Sequence, residues 1–374
     1  MHSWTPELEQ HLQQHARAAG FHLADIASVE PPPDTQPNPD PHPERFADWI
    51  AQGRAGEMDY LKRRDEAGTL LRSTVQAAIP WARSVVVCAF NYNTEAPASV
   101  DPAAPGTGWI ARYAWSGKPT GAPTDYHDEL LHRLHLVEAA LLERIPCETR
   151  CYVDTGPIVE RDLAARAGIG WIGKNTCVLN QQQGSWLLLG VILTSLPLAR
   201  LQIPAADRCG SCTRCLDACP TSALIAPRQM DASLCISYLT IEKKREIPEP
   251  LRALMGRQVF GCDICQDVCP WNRRAPISHT PSMSPRPELI NPTLEWLASL
   301  DNSTFKTHFR GSPLERTGRK RLQRNVAIAM GNSADPKFLP RLQTWAASDD
   351  SVLADAAAWA ILQISSLTNS PGGC

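Results

Sequence analysis

The run Cys209-x2-Cys212-x2-Cys215-x3-Cys219-Pro220 constrains this chain more than any other feature, because thiolates so closely spaced are suited to converge on one metal centre. Its spacing is that of the bacterial two-cluster iron–sulfur run, in which three cysteines hold one 4Fe-4S cluster and the fourth ligates its neighbour. Cys262-x2-Cys265-x3-Cys269-Pro270 is one cysteine short of the same pattern, and Cys235 is the nearby residue able to complete an eight-thiolate set. The reading places Cys209, Cys212, Cys215 and Cys269 on one cluster, and Cys219, Cys235, Cys262 and Cys265 on the other. Two tetrahedral zinc sites are the alternative, but the x2, x2, x3 spacing followed by proline fits them less well. With no free ligand position, both clusters read as a wire for single electrons.

Composition narrows the setting. Eight of the 13 cysteines fall between residues 209 and 270, and the first residues lack the basic start and apolar run of a secretory signal. Metal ligation is therefore expected rather than disulfides. The other five, Cys88, Cys147, Cys151, Cys177 and Cys374, read as small buried hydrophobes or a tail thiol. A hydrophobic content of 43% with a formal charge of -2 excludes a wholly disordered or globally polybasic chain, so nucleic-acid contact requires a local patch. Trp186 to Leu198 is the most apolar stretch, but Gly190, Thr194, Ser195 and Pro197 interrupt it. It falls short of the roughly 20 apolar residues of a membrane span and reads as buried strand.

The order of elements makes residues 45–200 an α+β or α/β sandwich, and the chain, taken as α+β, is expected to divide into residues 1–200, 201–280 and 281–374. Residues 5–18 form an opening helix that stops at Gly20. Pro31 to Pro43 holds seven prolines in thirteen residues and is expected to be an exposed loop, and Thr94 to Gly108 is similarly irregular. Strands are expected at Ser84–Tyr92, Arg150–Asp154 and Trp186–Leu193, with helices along Leu130–Leu142 and Pro157–Ala167. After residue 320, Leu322–Met330, Pro336–Ala347 and Ser351–Ile364 read as stacked short helices of a helical-hairpin solenoid.

The segment Tyr152 to Thr176 is dense in function-capable residues. Gly168-x-Gly170-x-x-Gly173 has the form of a dinucleotide fingerprint, but a helix rather than a strand precedes it, so a Rossmann site is rejected. The glycines instead read as a close backbone approach to a flat or bulky ligand, with Lys174 and Asn175 supplying polar contacts. Asp154 stands at a strand exit before Thr-Gly-Pro, where it serves either as a helix cap or as an acid facing a cleft.

Asp154-Thr-Gly-Pro, Gly168-Ile-Gly-Trp-Ile-Gly-Lys-Asn, the eight cysteines, Cys235-Ile-Ser-Tyr-Leu-Thr-Ile-Glu242, Gly311-Ser-Pro-Leu and Arg324 to Asn332 together resemble the epoxyqueuosine reductases, most closely over residues 56–345. The resemblance implies a nitroreductase/reductive-dehalogenase-like α/β sandwich that binds cobalamin, a ferredoxin-like double 4Fe-4S module, and a HEAT-like helical segment that binds tRNA. It implies reduction of epoxyqueuosine to queuosine at the wobble position, the last step of queuosine synthesis, by a cytoplasmic monomer supplied by an external low-potential electron donor. Asp154 matches the family's proton donor, which demands that a partly desolvated pocket raise its pKa. Arg112, Tyr113, Asp125 and His127 resemble a cobalamin-pocket segment, with Gly173, Lys174, Asn175 and Ser237 added as cofactor contacts. Ser116 to Thr124 lengthens the connection between its two pieces, and His127 reads as a pocket wall rather than a cobalt ligand.

From Lys306 to Arg324 there are seven basic residues and one acid, Glu315, and Lys243-Lys-Arg245 adds a second patch. On the resemblance, Lys243, Lys244, Arg319, Lys320, Arg321 and Arg324 are the expected phosphate contacts, and Trp171 and Tyr238 are candidates to stack an unpaired base. Two rivals remain. A corrinoid reductive dehalogenase commonly carries a twin-arginine export signal, whereas Arg63-Arg64 is too internal, and a simple electron carrier needs no large domain before its clusters.

Overall fold

The computed structural model describes residues 2–29, 42–199 and 203–368. Most of the proline-rich stretch and Cys374 lie outside them, while His42–Ala51 forms a helix. A four-stranded antiparallel sheet organises the first half: β1 (Leu23–Ser28), β2 (Ser84–Asn91), β3 (Thr149–Tyr152) and β4 (Leu187–Thr194), in the order β1-β2-β4-β3. Every residue of β2 is buried because the sheet is covered on both sides. Val86, Cys88 and Phe90 enter one core while Val85, Val87 and Ala89 enter the other, the two-residue period of a strand.

Two helices seal the first face. In α1 (Pro6–Ala18), Thr5 caps the Leu8 N–H and Pro6 occupies the first turn, and Leu8, Leu12 and Ala16 point inward at intervals of four. In α2 (Tyr126–Leu142), Asp125 is the cap and Leu130, Leu134, Val137 and Leu141 are buried. Leu134 is wholly buried beneath Gly190 of β4, so Leu134→Ala would cost about 2–5 kcal/mol. On the other face α3 (Glu160–Arg166) buries Leu163 and Ala164. It begins three residues later than expected, after an irregular Thr155–Val159 stretch, and ends before Gly168, whose φ of 78° suits a helix stop.

The cysteine-rich segment contains two short helical turns, Arg214–Asp217 and Ile264–Asp267, packed on one another. Their leading residues, Thr213 (φ -121°, ψ 5°) and Asp263 (φ -108°, ψ 0°), share one backbone conformation, so the repeated spacing is also a repeated shape.

The last described residues are helical. After α4 (Ile236–Ile241) come α5 (Gly318–Ser333), α6 (Leu339–Ala346) and α7 (Ser351–Thr368); α7 packs on both α5 and α6, and Gly331 lets α5 approach the backbone of Ala360 in α7. The expected helix over 336–347 begins as a 3-10 turn, Pro336–Phe338. One apolar core joins Ile110 and Trp115, Leu239 and Phe260, and Phe309, Val326, Met330 and Ala357. Among the described residues, no helix is long and apolar enough to cross a membrane.

Candidate active site

A cleft of about 1120 Å³ opens between the sheet, the cysteine segment and the C-terminal helices, larger than the roughly 300–1,000 Å³ of ordinary small-ligand pockets. Tyr60, Tyr113, Tyr126, Leu188, Tyr238 and Phe260 give it aromatic and apolar walls, and Asp154, Cys235 and Ser237 also reach it. Asp154 sits two residues beyond β3 with φ 56°, a left-handed backbone that costs a non-glycine residue about 1–3 kcal/mol. It caps no helix, since Val159 leads α3. Its side chain is 67% exposed into the cleft, where Oδ2 accepts from the Tyr126 hydroxyl at 3.0 Å and lies 3.6 Å from Nε2 of His127.

The start of α2 holds the partners in place. Asp125 Oδ1 accepts from the backbone N–H of His127 at 3.0 Å and contacts Nδ1 of the same ring at 2.6 Å. Arg316 reaches in from the C-terminal half, with Nη1 2.8 Å from His127 Nε2 and Nη2 3.4 Å from Asp125 Oδ2. Burial alone would lower the His127 pKa, and Arg316 also opposes a charged ring, but the hydrogen bonds with Asp125 and Asp154 outweigh both and raise it. The same contact with His127, against the effect of burial and with help from Tyr126 and Arg161, holds Asp154 below the usual carboxylate range.

That balance runs against the expectation of a raised Asp154 pKa, with the His127 contact as its largest cause. Glu160, which sequence reasoning missed, also lines the cleft; burial, then the Asp154 charge, push it up to about 7, and its Oε1 is buried without a partner. An acid in the first turn of a helix ordinarily answers the helix dipole, which hides such a residue in the sequence.

Five of the expected cofactor contacts, Arg112, Asp125, Gly173, Lys174 and Asn175, do not line the cleft. Arg112 is buried, stacked 4.3 Å from the Trp186 ring, and donates to Asn93 Oδ1 at 2.7 Å and the Thr94 carbonyl at 2.9 Å. Gly170 and Gly173 admit close approach of Leu179 in this same chain rather than a ligand. Lys174 Nζ donates to the carbonyls of Gly210 and Cys212 at 2.6 and 3.0 Å, and Asn175 Nδ2 to that of Cys265 at 3.4 Å, so both brace the cysteine loops. The 116–124 connection folds back on itself, with Gly117 bridged to Pro123 and paired with Ser284.

The thiols sort by neighbourhood. Burial and the charges of Cys209 and Cys215 push Cys269 up to about 11, whereas Cys262 is raised by burial and by Cys235 and Cys219. The Trp171 indole N–H donates to Cys209 Sγ at 3.4 Å from a 5% exposed position, which removes Trp171 as a base-stacking platform. Tyr238 does face the cleft, its hydroxyl accepting from the Glu57 N–H. Cys177, expected as an inert filler, lies against Cys265.

The basic residues divide. Arg324 is 1% exposed and donates to the carbonyls of Leu239, Lys243 and Arg245, so it is withdrawn from any phosphate by its own burial. Lys243 is paired with Glu57 at 2.5 Å. Lys244, Arg316 and Arg321 line the cleft, Arg321 also donating to the Ile241 carbonyl at 2.7 Å. Arg319 bonds Asn302 and Gln323, and Lys320 is 77% exposed beside Asp350.

Residues 208–272 match a family model described as 4Fe-4S double cluster binding domain, which defines an iron–sulfur protein and disfavours paired zinc sites. Residues 72–155 match the model described as Epoxyqueuosine reductase QueG, DUF1730. The epoxyqueuosine reductase of Xanthomonas campestris pv. campestris is 36% identical over 93% of this chain and 94% of its own length, and that of Escherichia coli K12 is 36% identical over 84% and 80%. Among solved structures, an epoxyqueuosine reductase with a tRNA-Tyr epoxyqueuosine-modified stem loop superposes with TM-score 0.82 at 30% identity, covering 98% of this chain and 95% of that one. The Bacillus subtilis enzyme, with its aspartate catalytic loop swung out of the active site, gives 0.80 at 31% identity, covering 96% and 90%. The chain belongs to the epoxyqueuosine reductase family.

Proposed function

We propose that this chain reduces epoxyqueuosine to queuosine at the wobble position of tRNA, the last step of queuosine synthesis, using cobalamin and two 4Fe-4S clusters. One observation carries the reading: Cys235 and Asp154 line the same cleft, so an electron relay and a proton relay meet there. The volume and aromatic walls suit a large flat cofactor, with Tyr113 and Ser237 among the residues that would hold it, and the eight cysteines would hold the clusters. When bound, the clusters supply single electrons and cobalamin the reducing centre that acts on the epoxide.

Deoxygenation takes two electrons and two protons, breaks both C–O bonds, leaves an alkene and releases the oxygen as water. The side chains handle the protons. Asp154 faces the departing oxygen, and His127, 3.6 Å behind it, stores a proton on the elevated pKa that Asp125 and Asp154 confer. Substrate that displaces water from the cleft desolvates the Asp154 carboxylate and raises its pKa, drawing that proton forward. The left-handed turn at Asp154 is a strained position, and the Bacillus subtilis relative was solved with its aspartate catalytic loop swung out of the active site.

The anticodon loop would enter beside Lys244, Arg316 and Arg321, with Arg319 and Lys320 on the flanking surface of a HEAT-like module built from α5, α6 and α7. The relative solved with a tRNA stem loop supports this substrate class. The chain works as a cytoplasmic monomer fed by an external low-potential donor. Anaerobic protein loaded with iron, sulfide and cobalamin, incubated with reductant and epoxyqueuosine-containing tRNA, is expected to yield queuosine on nucleoside analysis. No conversion by fully loaded protein overturns the proposal.

A further inference from the structure

Away from the cleft, His135 and Glu138 lie three residues apart on α2 and so share a helix face, and β3 packs Cys151 against that face. His135 Nδ1 is 2.8 Å from Glu138 Oε2, and one donor atom from each of His135, Glu138 and Cys151 lies within 4.8 Å of the others. We propose that these three residues form a binding site for one borderline-soft divalent cation of the zinc type, separate from the cluster cysteines.

The donor set selects the ion. An imidazole, a carboxylate and a thiolate together suit zinc, whereas magnesium and calcium prefer all-oxygen shells. Metal–ligand bonds of about 2.0–2.3 Å place ligand atoms about 3–4 Å apart in a tetrahedron, so the three groups need only small side-chain adjustments to close on an ion. His135 is 56% exposed and gives an entry path, while Glu138 at 17% gives a sheltered anchor. The fourth position falls to water. Occupancy would bolt α2, whose first turn presents Tyr126 and His127, to β3, which ends two residues before Asp154.

The test uses the full chain, anaerobic and with both clusters reconstituted, exposed to zinc chloride and then freed of loose metal on a chelating resin. The expected result is one retained zinc per chain, with zinc-edge X-ray absorption showing one sulfur completed by nitrogen and oxygen. His135→Gln and Cys151→Ser are each expected to weaken zinc retention by about tenfold or more with iron content unchanged. Because His135 is exposed, its variant tests the site even if Cys151→Ser folds poorly. Zinc-free protein, equal retention by folded variants, or a four-sulfur shell, which would put the zinc in cluster positions, overturns the site.

Discussion

The Tyr126 hydroxyl donates to Asp154 Oδ2 at 3.0 Å and thereby ties the first turn of α2 to a left-handed turn at the sheet edge. A hydrogen bond to a charged acceptor contributes about 1.5–3 kcal/mol. Tyr126→Phe is expected to slow single-turnover conversion by about tenfold while cobalamin binding, read by absorbance, stays intact. An unaltered rate would remove this contact from the mechanism.

His127 makes a pH prediction. Its raised pKa keeps the ring charged above the ordinary imidazole range, so a rate that uses this proton is full at lower pH and falls as pH rises through the elevated value. The stability it contributes has the same sign, being complete below about 6.5, the unfolded value, and lost as pH climbs through the folded one. Asp125→Asn removes the largest raising contact and is expected to move the alkaline limb of the pH–rate profile to lower pH. A stationary limb would show that another group sets it.

Glu160, pushed up to about 7, supplies a second inflection. Glu160→Gln preserves shape and deletes the titration, so the profile is expected to lose a transition near pH 7 with the alkaline limb set by His127 retained. An identical profile would leave Glu160 a bystander.

Arg324 and Lys320 lie four residues apart on α5 and are expected to behave oppositely. Arg324→Met strands the carbonyls of Leu239, Lys243 and Arg245, costing about 3 kcal/mol or more in stability by denaturant melts. Lys320→Glu, on a side chain that is 77% exposed, leaves stability nearly unchanged but weakens tRNA binding and flattens its salt dependence. Matched effects on stability from both variants would erase the distinction between strut and surface.

Trp171→Phe keeps the apolar packing and removes the N–H that points at Cys209. Since hydrogen bonds to ligand sulfurs raise cluster potentials, the midpoint of one cluster is expected to move to more negative values in a redox titration followed by electron paramagnetic resonance. Unmoved midpoints in the loaded variant would count against the bond.

The periodic parts were readable in advance for local reasons. Leu130, Leu134, Val137 and Leu141 mark α2, the β-branched run at Val85–Val87 marks a central strand, and the x2, x2, x3 spacing marks the clusters. Asp154 could be singled out but its charge state could not, because His127 and Tyr126 belong to another element and only tertiary packing brings them to it. Arg324 looked like part of a basic run since charge count says nothing of which way a helix faces. Gly170 and Gly173 advertised a close approach without naming the partner, which proved to be Leu179.

The apolar core that runs from Ile110 through Phe260 to Ala357 bears on how the enzyme could be dissected. A cut after the last cysteine would not liberate two working halves; it would strip Leu239 and Phe260 of their covering and let the peptide bearing Cys235 and Cys262 go slack. Loss of iron would then accompany loss of RNA affinity, so truncation is a poor tool for separating redox function from recognition, and point changes on the outer helical surface are the better instrument.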